Sequence, residues 1–117
     1  DLARSLVNIA GEREPDPRKI NVDMDIFRAL ARGFLNTAPV IDARETDLMA
    51  EAAQIMALEL GVRFLTDYLR GDSYFKLMPA EPPDLNKTRA MAQFSLFSRL
   101  RVTAPIAKRH IRELRGF

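Results

Sequence analysis

No stretch of this 117-residue chain sustains a two-residue alternation of apolar and polar side chains, whereas apolar residues return every three to four positions along most of it. Side chains on a strand swap faces at each residue, while those on a helix come back to one face after 3.6 residues, so the pattern predicts an all-α fold. Leu2, Leu6, Ile9 and Ala10 share a stripe, which predicts a short first helix over Asp1–Ala10, followed by a loop over Gly11–Lys19 with its glycine and two prolines. Asp23 is placed to cap a helix to about Thr37, with Ile26, Phe27, Leu30, Phe34 and Leu35 on its apolar side and Pro39 ending it.

Thr46 is a candidate N-cap for a long helix to about Leu69, with Asp47 in its first turn and Gly71 as its stop. Gly61 inside that helix costs about 1 kcal/mol against alanine, which points to a packing reason or a kink. The aromatic pair Tyr74 and Phe75 in Asp72–Leu77 is expected to be fixed against something, before a loop marked by Pro79, Pro82 and Pro83. Asp84 or Asn86 then starts a helix through about Arg101, and Pro105, two positions after Thr103, opens a last one to about Leu114. The expectation is of about five helices in a single domain over residues 1–117.

At 47% hydrophobic and 29% charged residues, the chain has material for a core. It has no cysteine, which removes disulfides, thiolate metal sites and cysteine nucleophiles and fits a cytoplasmic setting. No apolar run approaches the roughly 18 residues of a membrane span, and no signal-peptide pattern opens the sequence. It opens on Asp1 rather than methionine, so a piece of a longer protein is expected. Charge is uneven: from Asn86 onward eight basic residues stand against Glu113 alone, a net of +7, while residues 1–85 carry −5. Such an end can meet phosphates or an acidic partner, and it can equally be a solvated helix face.

The common catalytic signatures are absent from the sequence. Its glycines stand far apart at 11, 33, 61, 71 and 116, so no glycine-rich phosphate loop exists. His110 is the one histidine and has no cysteine or second histidine to complete a metal site. The most informative stretch is Leu58–Leu77. On a helix, Glu59, Arg63, Thr66, Asp67 and Arg70 form a polar stripe, with opposite charges at Glu59–Arg63 and Arg63–Asp67. Two readings follow: a solvated ladder of ion pairs, or Arg63 held between carboxylates with its guanidinium turned to a pocket and Tyr74 folded back beside it.

The run GVRFLTDYLRGDSYFK, with NKTRAMAQF beyond it, resembles the C-terminal region of the aminoglycoside-phosphotransferase-like kinases, most closely their N-acetylhexosamine kinases. DLARSLVN is similar to the stretch that follows the family's metal-binding motif, of which Asp1 would be the last residue, and DMDIFRALARGFL to the helix after it. The likeness covers residues 1 to about 97 and leaves the basic tail 98–117 unassigned. It implies a two-lobed, ATP-dependent kinase whose helical C-terminal subdomain walls the sugar pocket. ATP, Mg²⁺ and the catalytic aspartate would all be held by residues preceding Asp1, so the chain alone would carry no catalytic, cofactor-binding or metal-binding residue.

The resemblance places Arg63 and Tyr74 on the sugar. The partners it implies are the sugar itself and an N-terminal kinase lobe. A wall without its lobe is expected to self-associate, with Leu2, Leu6 and Phe27 as candidates for the exposed surface. The alternative is a basic helical module for nucleic acid or a protein partner, although only Phe94, Phe97 and Phe117 accompany the basic residues as stacking aromatics.

Overall fold

A computed structural model describes residues 17–38 and 40–116, so the expected first helix over Asp1–Ala10, including Leu2 and Leu6, lies outside the described residues. Among those described, four α-helices follow a 3₁₀ turn at Pro17–Lys19, and no strand occurs: α1 (Met24–Thr37), α2 (Ala43–Asp47), α3 (Met49–Leu69) and α4 (Leu85–Arg115). The all-α architecture expected from the periodicity is the one present.

Helix α1 starts where Asp23 accepts hydrogen bonds from the backbone N–H of Asp25 (2.9 Å) and Ile26 (3.3 Å), satisfying two of the first-turn donors. Its inner seam is Phe27, Ala31 and Leu35, at i, i+4 and i+8, while Ile26 and Phe34 stay exposed at its margins. Phe27, expected on the open surface, is in fact only 1% exposed and sits in the core. Burying such a side chain contributes about 1.5–3 kcal/mol, which is why the most apolar residue of the seam turns inward.

The second correction is at Thr46. Asp42 is the cap: its carboxylate accepts from Glu45 N (2.8 Å) while Glu45 Oε2 accepts from Asp42 N (2.9 Å), a reciprocal box over the first turn of α2. Thr46 lies inside α2, is buried, and gives its hydroxyl to the Asp42 carbonyl (2.7 Å). Leu48, at φ −88° and ψ −5°, separates α2 from α3, so the long helix expected from a Thr46 cap begins at Met49, behind a short α2 that was not expected.

Helix α3 packs along α4 through small residues. Ala53, Ala57 and Gly61 recur every four positions and are buried, so the two helices approach closely. At Gly61 a methyl group would stand 2.6 Å from Phe94 Cε1 and 3.2 Å from Gln93 Cβ, which is the packing reason for its cost within the helix.

Helix α4 is one element, where two helices divided near Thr103–Pro105 were expected. It runs 31 residues, about 46 Å at 1.5 Å per residue, and sets the long dimension of a 50 × 25 × 23 Å body. Pro105 has no N–H for the Arg101 carbonyl. Thr103 is not a cap: its hydroxyl turns back onto the carbonyls of Arg99 (2.9 Å) and Leu100 (3.4 Å). The helix continues because Leu96 and Leu100 before the proline, and Ala107 and Ile111 after it, enter the same core. Their burial outweighs the roughly 3 kcal/mol that proline costs in a helix interior. Every other described element packs on α4: the 3₁₀ turn, α1, α2 and α3.

Candidate functional site

Helix α3 ends in a reversal that brings the following segment back along its own last turns. Arg70 N–H bonds to the carbonyls of Thr66 and Asp67 (both 3.1 Å), and Asp72 N–H reaches Asp67 O at 2.9 Å. Gly71 at φ 89° and Asp72 at φ 60° make the turn in the left-handed region, open to glycine and tolerated by aspartate.

Two side chains then clamp the returning strand of chain. Asp67 is buried and receives the backbone N–H groups of Tyr74 on Oδ1 and Phe75 on Oδ2, both at 2.9 Å, with the Ser73 hydroxyl at 3.5 Å. Burial pushes its carboxyl upward, but the two backbone donors and Ser73 outweigh that and hold it below its ordinary value. From the other side Asn86, fully buried in the first turn of α4, donates to Asp72 Oδ1 (2.9 Å) and to the Phe75 carbonyl (2.8 Å). Its own oxygen accepts from Arg89 Nη1 at 3.1 Å.

Phe75 is thereby pressed against Phe64 of α3, with ring centroids 4.5 Å apart, and Tyr74 meets Phe75 edge-on at 4.8 Å. Phe75 is the anchor and Tyr74, 72% exposed, is the presented residue. The Arg63 guanidinium stands 5.8 Å from the Tyr74 ring centroid, within the range of a cation–π contact. It also pairs with Glu59 at 3.5 Å. Val62, Arg63, Thr66, Asp67, Arg70, Ser73, Tyr74 and Phe75 line an open groove of about 330 Å³.

The two readings of the polar stripe thus each describe part of it. Glu59–Arg63 is a half-exposed ion pair of the ladder kind, worth at most a few tenths of a kcal/mol. Asp67 is not a rung. Its carboxylate faces inward to the returning backbone, and Arg63 instead lies beside Tyr74. Sequence spacing brought Arg63 and Tyr74 together but missed Asp67 and Asn86, the residues that hold them there. The available signal was an Asp five residues before an Asp that follows glycine, with amides to satisfy just beyond the turn.

The groove offers the guanidinium groups of Arg63 and Arg70, several hydroxyls and an aromatic face around a half-open hollow. Arginine donates through a fixed fork, and hydroxyl groups both give and accept, so the set suits a small polyhydroxylated molecule. Among the described residues no group of three or more His, Asp or Glu side chains gathers in metal-binding geometry. No helix in the described residues is long and apolar enough to cross a membrane. Compared with known protein families, the sequence matches no family model.

Proposed function

We propose that this chain is the acceptor-binding helical part of an ATP-dependent sugar phosphotransferase of the N-acetylhexosamine kinase kind. The observation that carries the reading is the pairing of Arg63 with Tyr74 across the turn at Gly71–Asp72, with the guanidinium 5.8 Å from the ring centroid in a groove that the Thr66, Ser73 and Tyr74 side chains also line. An arginine and a tyrosine eleven residues apart in sequence are also the pair that the likeness of GVRFLTDYLRGDSYFK to the sugar kinases implies for the sugar. In this reading Arg63 donates to ring or N-acetyl oxygens, and Tyr74 supplies its phenol and a ring face. Asp67 and Asn86 hold Tyr74 in register as positioning residues. Nucleotide, Mg²⁺ and the catalytic aspartate belong to the rest of such an enzyme and would act on the sugar hydroxyl from the opposite side.

The test is a titration of N-acetylglucosamine and N-acetylgalactosamine onto the chain, followed through the backbone amides of residues 63–75. Shifts confined to Arg63, Ser73, Tyr74 and Phe75 are expected. In the intact kinase Arg63→Ala lowers kcat/KM for the sugar ten- to a hundredfold, about 1.5–3 kcal/mol for hydrogen bonds to a charged group. Tyr74→Phe costs less, about 0.5–1.5 kcal/mol. If neither sugar moves these amides at tens of millimolar, and Arg63→Ala lowers only the melting temperature, the stripe is a surface feature and the reading falls.

A further inference from the structure

A second hollow, of about 790 Å³, lies between the first half of α3 and the second half of α4, its Gln54 wall eight residues along α3 from Val62 of the Arg63 groove. Its walls are Glu51 and Gln54 of α3 and, from α4, Arg101, Ala104, Pro105, Lys108, Arg109, Arg112 and Glu113. The hollow is an open groove, and the three arginines on its rim are exposed.

Its charges are not balanced. Both acidic residues in the wall have a cationic partner: Glu51 pairs with Lys108 through Oε1, while its buried Oε2 has no hydrogen-bond partner, and Glu113 accepts from Arg28 Nη1 at 2.7 Å. The Lys108 and Arg28 bonds hold these carboxyls below their ordinary values, so both stay charged at neutral pH. Arg89 and Arg115 of the same helix are likewise occupied, with Glu81 and with the Ile41 carbonyl. Arg101 and Arg112 make no hydrogen bond or ion pair to any described residue, Arg109 meets Glu113 only through its field, and all three line one hollow. The negative end of the helix dipole favours cations only in the last turn, which accounts for Arg112 and not for Arg101, fourteen residues before the C-terminus of α4.

On α4 these residues run along one side. Arg101 and Arg109 are about 12 Å apart along the axis, and Arg109 and Arg112 about 4.5 Å, with the apolar floor of Ala104 and Pro105 between the outer pair. Guanidinium forks grip phosphate oxygens two at a time, and a concave, low-dielectric wall concentrates their field. The wall contains no aromatic ring, so bases have nothing to stack on and a single-stranded nucleic acid is poorly served. We infer that this hollow is a binding site for a small, multiply charged phosphate chain, gripped by Arg101 at one end and by Arg109 and Arg112 at the other. The inference rests on the α3–α4 groove alone and is independent of the sugar reading.

The probe is magnesium-free tripolyphosphate, titrated onto the ¹⁵N-labelled chain at fixed ionic strength. Saturable shifts in the arginine side-chain and backbone resonances of residues 101–113 are expected, with at least a fivefold loss of affinity in Arg101→Gln and again in Arg112→Gln. Both side chains are exposed, so the variants keep the fold. Arg99→Gln, which removes an equally exposed charge outside the hollow, serves as control and leaves affinity unchanged. Equal losses in all three variants, or shifts spread evenly over Lys87, Arg89 and Arg99, would mean a diffuse basic surface and overturn the site. Stronger binding of a single-stranded oligonucleotide than of tripolyphosphate at the same salt would overturn it in favour of nucleic acid. ATP without magnesium binding as tripolyphosphate does would assign the grip to a phosphate tail on a larger molecule.

Discussion

Asp67 concentrates the chemistry of the α3 turn in one carboxylate. It alone accepts the amides of both Tyr74 and Phe75, one on each oxygen, and no neutral side chain of its size can do the same. Asp67→Asn retains one acceptor oxygen and sets an amide donor against the second N–H. The expected outcome is loosening of residues 72–75 with α3 and α4 intact, read as collapsed shift dispersion of the Tyr74 and Phe75 amides. Acid should reproduce the variant. The Asp67, Glu51 and Glu113 carboxyls titrate lower in the fold than in the unfolded chain, where 3.8 and 4.5 are ordinary. Stability they contribute is therefore complete above those values and is lost as pH falls below them. A melting temperature flat from pH 8 to 5 and falling below about pH 4 is the signature, and one that falls as pH rises from 5 to 8 would contradict it.

At the scale of the element, the unbroken α4 carries a proline at a position where alanine is easier by about 3 kcal/mol. Pro105→Ala restores the N–H to the Arg101 carbonyl and leaves Leu100, Ala107 and Ile111 in place. It is expected to raise the unfolding free energy by up to that amount, measured by chemical denaturation. A loss of stability would mean that the core depends on a bend at this point. The same helix shows where sequence reading stops. Asp23, Leu69 and Gly71 mark ends by local chemistry, and those ends were legible to within a residue. Pro105 is an equally strong local stop, but side chains on both sides of it enter one core, and that lies outside any window of neighbours. Thr46 failed for a nearer reason, since Asp42 with Glu45 makes the better cap four residues earlier. In the candidate site, helical spacing and the Gly71 break left Tyr74 beside Arg63 as one of two readings, and the resemblance to the sugar kinases implied it. Asn86 was invisible, because its partners Asp72 and Phe75 sit across a proline-rich loop.

Over the whole molecule, the face of α3 turned away from α4 stays apolar. Leu48, Ile55, Val62 and Leu69 repeat every seven residues and are all at least half exposed. A stripe of that kind is one that other helices cover in coiled-coil pairings. Concentration-dependent association of the chain is expected in sedimentation equilibrium, abolished by Ile55→Lys. A variant that associates as strongly as the parent would exclude this face. The dependence of every other helix on α4 has a temporal consequence as well. The α3–α4 pair closes through the short link 70–84, so little chain entropy opposes it, whereas α1 has nothing to dock on until α4 exists. Helix α1 is thus expected to dock after the α3–α4 pair has formed. Trimming Leu96, in the pair that forms first, should slow refolding, while trimming Phe27 should leave refolding nearly untouched and hasten unfolding.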